Sequence, residues 1–312
     1  MKAAVLSHTG ATPAYADFSD PEPDTGQVVI DVTAAGVHHL DLAMASGAFG
    51  NPRTLPYVIG ADGVGRTATG RRVFFTSPVS PHGSWAERTV VAEDDLLDLA
   101  DGVDDVTAAA LGNTGLAAWL ALTWRAKLQP GQNVLVLGAT GALGSVAVQL
   151  AKALGAGTVV AADRDPDRLD LSVERGADAA VTITPGADLV GAFRDAVGEH
   201  GFDVIIDPVW GDPALAAMHV AARGARHIQI GQSAAATIQL PAGLVRGARL
   251  EILGFAHVDP PVEIRRDAYL QLTRFAAKGM LTVDTMTLPL RDCKRAWELQ
   301  QQGAPRKLVL SP

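Results

Sequence analysis

The chain has 312 residues, enough at roughly 150 per domain for two domains with a sizeable core. With 48% hydrophobic and 19% charged residues it is globular rather than disordered, and a formal net charge of −8 argues against nucleic acid or an anionic membrane as partner. One cysteine, Cys293, excludes an internal disulfide and any cysteine-built zinc site.

The apolar stretch Ala3–Leu6 is too short for a signal peptide, and no run of about 18 apolar residues escapes interruption by Gly, Lys or Arg. The expectation is a cytoplasmic chain without a membrane span. Up to about residue 108, short β-type runs at Lys2–Leu6, Gln27–Ala34, Arg71–Phe75 and Trp85–Val91 are separated by turn residues, among them Pro21-Glu22-Pro23-Asp24 and Asp62-Gly63. From Val106 the pattern becomes strand–helix alternation. Apolar runs begin at Val134, Thr158, Ala179, Phe202, Ala225 and Arg249, a spacing that suits a strand plus a crossover helix. Near-continuous apolar strands predict a parallel sheet covered on both faces, hence a doubly wound α/β domain. Asp165-Pro166 reads as a helix cap followed by proline at the first helical position, with Gly176 as the stop.

After Pro260, Ile264, Ala268, Leu272, Phe275 and Ala276 predict one helical face ending at Gly279, then a strand over Thr282–Leu288 and a helix from Arg291 to Gln302. This tail is expected to return to the first unit. The expected organisation is a discontinuous β-rich domain, residues 1–108 and 261–312, with a dinucleotide-type sheet domain, residues 109–260, inserted into it.

The most informative local feature follows the run Asn133–Leu137. Gly138, Ala139, Thr140, Gly141, Ala142, Leu143 and Gly144 form a turn that opens a helix from Ser145 to about Leu154. Gly141 would let the backbone approach a pyrophosphate, Gly144 would let helix and strand pack closely, and the helix N-terminus would hold the phosphates. Asp163, at the end of the second strand, suits two ribose hydroxyls. Its charge repels a 2′-phosphate, whereas Arg164 and Arg168 would neutralise one. The expected cofactor is therefore NADH or NADPH, with a lean to NADH. Gly231-Gln232-Ser233 and Gly254-Phe255 follow the fifth and sixth strands and would line the same pocket, because ligands of such sheets bind beyond the carboxyl ends of the strands.

Several separated segments, in this order, resemble the zinc-independent quinone oxidoreductase-like branch of the medium-chain dehydrogenase/reductase superfamily. They are Ala35–Asp41, Gly60–Gly65, Gly83–Glu87, Ala108–Trp119, the glycine turn, Asp203–Gly211, Gly231–Ser233 and Arg306–Leu310. The resemblance spans essentially the whole chain and implies a GroES-like β-rich catalytic domain beside the Rossmann domain. It places His38, Ala61 and Asn113 where zinc-dependent relatives hold a catalytic zinc, a set that cannot supply three ligands, so no metal is expected. It puts His38 and Asn113 near the nicotinamide and the substrate carbonyl. Asp41 would orient a ring or cap a helix. Two residues, Ala117 for a usual threonine and Ile183 for a frequent tyrosine, depart from the family's NADPH grip.

The implied activity is hydride transfer from NAD(P)H to a quinone or an α,β-unsaturated carbonyl, with protons from water or His38. Alternatives are reduction of an enoyl thioester or biosynthetic intermediate, or nucleotide binding without efficient turnover. The resemblance also implies a homodimer, by pairing of sixth strands around Arg249–Phe255.

Overall fold

The computed structural model describes residues 1–48 and 53–312. Its contacts divide the chain into one unit of Met1–Asn113 with Val262–Pro312 and a second of Thr114–Pro261.

The first unit begins with β1 (Lys2–Leu6), β2 (Ala14–Asp17), β3 (Gln27–Gly36), α1 (His39–Ala45), β4 (Tyr57–Val58), β5 (Asp62–Thr67), β6 (Arg72–Thr76), β7 (Arg88–Ala92), β8 (Leu97–Asp98) and α2 (Asp105–Leu120), the last running into the second unit. The second holds β9 (Val134–Leu137), α3 (Ala142–Ala153), β10 (Val159–Asp163), α4 (Pro166–Glu174), β11 (Ala179–Thr182), α5 (Leu189–Val197), β12 (Phe202–Asp207), α6 (Gly211–His219), β13 (Ala221–Gln229), α7 (Ala242–Ala248) and β14 (Glu251–Gly254). The tail adds α8 (Val262–Ala277), β15 (Thr285–Pro289), α9 (Cys293–Gln301) and β16 (Lys307–Ser311) to the first unit.

In the first unit, β15-β16-β3-β5-β6-β8 form a mixed sheet, with β7 also on β3, and β2-β1-β4 form a smaller one. The core lies where Ile30, Val32 and Ala35 of β3 meet Phe75, Trp85, Trp297, Leu308 and Leu310. The Trp85 indole N–H donates to the Gly36 carbonyl at 3.0 Å, so the ring is both buried and satisfied. Two sequence expectations are corrected here. Asp62-Gly63 is not punctuation but the start of β5, because Gly63 and Gly65 admit the β3 backbone so closely that an added Cβ would lie 2.8 and 2.3 Å from its carbonyl oxygens. In α8 the buried face is Ala268, Tyr269, Leu272 and Thr273, while Ile264 is exposed, because Tyr269 stacks on Phe74 at 4.4 Å and donates to the Ala108 carbonyl.

The second unit is a six-stranded parallel sheet in the order β11-β10-β9-β12-β13-β14. All four residues of β9 are buried, as a central strand covered on both faces requires. At about 1.5–3 kcal/mol per buried aliphatic side chain, that strand alone contributes roughly 6–12 kcal/mol of gross burial. The Asp165 carboxylate accepts the Arg168 amide and Pro166 opens α4, as expected from the sequence. Helix α3 starts at Ala142, three residues before the expected Ser145, since Ala142–Gly144 already have helical geometry. Among the described residues, Asp105–Arg125 is the one helical segment that by length and composition could cross a membrane, but 72% of its most apolar window is buried within the protein, as in a core helix.

Candidate functional site

In the second unit, parallel pairing brings the carboxyl ends of all six strands to one edge, and the strand order reverses between β9 and β12. The turn after β9 lies at that reversal. Gly138 has φ +63°, a conformation that glycine adopts without strain. A Cβ on Gly144 would stand 2.1 Å from the Gly138 carbonyl oxygen, so only glycine lets α3 sit on its strand. At Gly141, which is exposed with φ −72°, the same carbonyl would be 3.2 Å away. No side chain caps α3, so its first-turn amides at Ala142, Leu143 and Gly144, which have no acceptor within the helix, are left as donors for an anion. Ala139 and Thr140 are buried beneath the turn.

Asp163 belongs to this turn. Its Oδ2 accepts the Thr140 amide at 2.9 Å and the Thr140 hydroxyl at 2.7 Å, and its Oδ1 accepts the Arg164 amide at 2.7 Å. The Arg168 guanidinium donates to the Thr140 carbonyl, whereas the Arg164 side chain is exposed. The cradle and the uncapped helix fit a dinucleotide pyrophosphate.

Two further turns share the edge. Gly231 passes so close to Pro208 that a Cβ would lie 2.6 Å from its carbonyl oxygen; Gln232 and Ser233 are exposed beside it. Gly254 is open, while Phe255 is buried and tilted against Trp124 at 6.1 Å. Across β12 and β13 lies a pair that sequence reasoning did not single out. Asp207 accepts from His227 Nε2 at 2.7 Å, both fully buried, and its other oxygen accepts the Val209 and Trp210 amides. Trp210 holds φ +61°, costly for a non-glycine residue, with its ring edge-on to His227.

The candidate residues of the first unit form one buried charge set. The His38 amide donates to Asp41 Oδ2 at 2.8 Å across the start of α1. His38 Nε2 lies 2.8 Å from Asp62 Oδ1, and His38 Nδ1 lies 2.8 Å from Lys307 Nζ. Lys307 also donates to the Val37 carbonyl at 2.6 Å. Asp62 Oδ2 accepts the backbone amide of Asn113 at 3.0 Å; the Asn113 side chain is half-buried. Gly36 and Gly112 make room, since a Cβ on either would press on Asp62, at 2.7 and 3.1 Å. Asp62 and Lys307 were thus overlooked as chemistry although both lie in segments that carry the resemblance. The acidic residue between glycines and the lysine before a terminal apolar strand were the available signals.

These groups shift one another. Burial raises the Asp41 carboxyl to about 6, against the pull of His38 and Lys307. Burial would raise Asp62 too, but His38, Lys307 and the Asn113 amide hold it below its ordinary value. Burial lowers the Lys307 ammonium to about 8, against the two carboxylates. Among the described residues, Asp41 Oδ1 finds no hydrogen-bond partner. Because the folded pKa of Asp41 exceeds its ordinary 3.8, its favourable contribution is complete below about 4 and is lost as pH rises through 6. Asp41→Asn should therefore gain on the wild type by about 2 kcal/mol between pH 4 and pH 8. Denaturant unfolding at both pH values measures this, and a pH-independent difference removes the assignment.

The three positions named for zinc do not fit it. Both His38 ring nitrogens are engaged, residue 61 is alanine, and residue 113 offers only an amide. Among the described residues no three His, Cys, Asp or Glu side chains are grouped to hold a metal ion.

Residues 142–276 match the family described as Zinc-binding dehydrogenase. The chain is 28% identical to the quinone oxidoreductase of Sus scrofa over 94% of its own length and 92% of the relative's. It is also 28% identical to a mycocerosic acid synthase-like polyketide synthase of Mycobacterium tuberculosis over 77% of its length, but spans only 11% of that protein. The solved quinone oxidoreductase of Thermus thermophilus, described with its NADPH complex, superposes with TM-score 0.84 at 30% identity, covering 100% of both chains. With that identity over the full length, and with a mixed β-sheet and a parallel Rossmann-like sheet in the order described, the chain belongs to the quinone oxidoreductase-like branch of the medium-chain dehydrogenase/reductase superfamily.

Proposed function

We propose that the protein is a metal-free NAD(P)H-dependent reductase of quinones or α,β-unsaturated carbonyls. The observation that carries this reading is the uncapped α3 N-terminus behind a turn where Gly144 leaves no room for a Cβ, with Asp163 tied to the same turn. A bound nicotinamide supplies the hydride. The amides of Ala142, Leu143 and Gly144 hold the pyrophosphate, and Gly231, Gln232, Ser233, Gly254 and Phe255 border the nicotinamide side of the pocket. A conjugated acceptor delocalises incoming negative charge, so it needs less electrophilic help than an isolated carbonyl. Asn113 hydrogen-bonds the acceptor carbonyl, and Asp41, which accepts the His38 backbone amide rather than its ring, caps the start of α1. Protons come from water or from His38, whose ring must first open its bond to Asp62 or Lys307.

For the nucleotide, the lean to NADH is supported by Asp163, whose carboxylate three donors hold at the turn, and by Arg168 being bound to the same turn. Asp163→Asn should raise the NADPH-to-NADH ratio of kcat/KM about tenfold, the effect of removing roughly 1.4 kcal/mol of repulsion. Steady-state kinetics with both nucleotides decides it; an unchanged ratio assigns the preference elsewhere.

The test of the reaction is loss of reduced-nicotinamide absorbance with NADH and NADPH against a panel of quinones and enones. Rapid oxidation supports the reading. A second reading, reduction of an enoyl thioester, is favoured by the likeness to the polyketide synthase, so a crotonyl thioester belongs in the panel. Nucleotide binding without oxidation of any acceptor would indicate a binding protein. Absence of nucleotide binding would end the reading altogether. The exposed edge of β14 around Ile252 is where a homodimer would pair, and sedimentation of the purified chain tests it.

A further inference from the structure

We propose that Lys307 is a positioning residue of the reductase site, holding the His38 imidazole, together with Asp62, in a single tautomer and a single orientation. The inference deepens the proposed function and rests on it, since it concerns how His38 is presented to an acceptor. It stands on geometry. Strand β16 pairs with β3 through Val309↔Gly36 and Leu310↔Ala35, which sets Lys307 against the Val37-His38 backbone. There the ammonium reaches the Val37 carbonyl and His38 Nδ1, at 2.6 and 2.8 Å. An ammonium has donors and no lone pair, so Nδ1 accepts. The ring hydrogen then sits on Nε2 and points to the Asp62 carboxylate 2.8 Å away. With donors and acceptors fixed on both sides, ring flipping would set Lys307 against a carbon and leave Asp62 without its donor.

The lock has a built-in limit. Burial brings Lys307 down to about 8, and a neutral amine can accept as well as donate. Above that pH the Nδ1–H form of His38 becomes available, so the ring is no longer held in one state. The other groups facing the set are His39 on α1, Tyr57 on β4 and Tyr269 on α8; Arg53 lies over Tyr57, and Arg72 and Asp105 act on Tyr269. Burial raises both tyrosines, so neither competes as a titrating group near neutral pH.

The first test does not depend on turnover. Side-chain nitrogen NMR of histidine-labelled protein, with His38 assigned by its loss in His38→Gln, should show protonated Nε2 and unprotonated Nδ1 at pH 7. That pattern should give way above pH 8. In Lys307→Met the His38 signals should show both tautomers at pH 7, whereas Lys307→Arg should keep the wild-type pattern to higher pH. The second test is the pH profile of the reductase. Wild type should lose kcat as pH rises through 8, and Lys307→Arg should move that limb upward by at least one pH unit. Lys307→Met should lower kcat about tenfold at pH 7 with KM changed less than threefold.

A wild-type tautomer pattern in Lys307→Met, or an unmoved alkaline limb in Lys307→Arg, would overturn the proposal. Should Lys307→Met fail to fold, the wild-type titration and Lys307→Arg still decide it. If no acceptor is reduced, the functional reading fails while the NMR result still decides whether Lys307 sets the ring.

Discussion

Gly144→Ala should lower reduced-nucleotide affinity at least tenfold and cost about 1–3 kcal/mol of stability, as overpacking at a tight contact does. The reason is local and steric. The added methyl would lie 2.1 Å from the Gly138 carbonyl oxygen and 2.7 Å from the Ala139 Cα, both backbone atoms that cannot swing aside. Helix α3 would have to lift from β9, which displaces the first-turn amides that are offered to the pyrophosphate. Gly141→Ala is the comparison. Its methyl would meet only the Gly138 carbonyl, at 3.2 Å, and its backbone already has a φ that alanine adopts. That variant should unfold within about 1 kcal/mol of wild type, yet bind nucleotide more weakly, because the methyl would stand where the pyrophosphate approaches. Fluorescence titration with NADH and denaturant unfolding separate the two effects. Equal loss of stability in both variants would mean that the turn is not held by the Gly144 contact.

Asp62→Asn should be the most damaging single change in the first unit, costing about 3–5 kcal/mol, the usual result of removing one partner from a buried ion set. Asp62 is 1% exposed and accepts two donors, His38 Nε2–H and the Asn113 amide. An asparagine offers one oxygen for the two and sets its own NH2 against the other donor. It also leaves the Lys307 charge buried with only Asp41 to balance it. The double variant Asp62→Asn with Lys307→Met removes both charges. It should be less destabilised than the sum of the singles by at least about 2 kcal/mol, a coupling of the size seen for side chains in one network. Denaturant unfolding of all four proteins measures it. Strict additivity would mean that Asp62 and Lys307 act independently.

The amino-acid sequence by itself determined the parts of this protein that local chemistry dictates. Four consecutive apolar residues at Val134–Leu137, a glycine turn and a helix cannot easily be read as anything but a central parallel strand with its crossover, and the structure has them there. The Asp165-Pro166 start of α4 and the run of strands through Glu251–Gly254 were legible for the same reason, since each rests on neighbours in the chain. The glycines of the turn were legible as a spacing, although only the structure shows that Gly144 is sterically obligatory and Gly141 is not.

Tertiary structure decided what depends on residues far apart. Asp62 read as a turn residue because Asp-Gly ordinarily is one, and it became a strand only by pairing with β3 and β6. Lys307 reaches His38 across 269 positions, and His227 finds Asp207 through the register of β12 and β13. Periodicity carries no trace of such pairs. A buried ionisable side chain is recognisable only when its partners are known, because the cost of burying its charge is offset by contacts that the fold assembles.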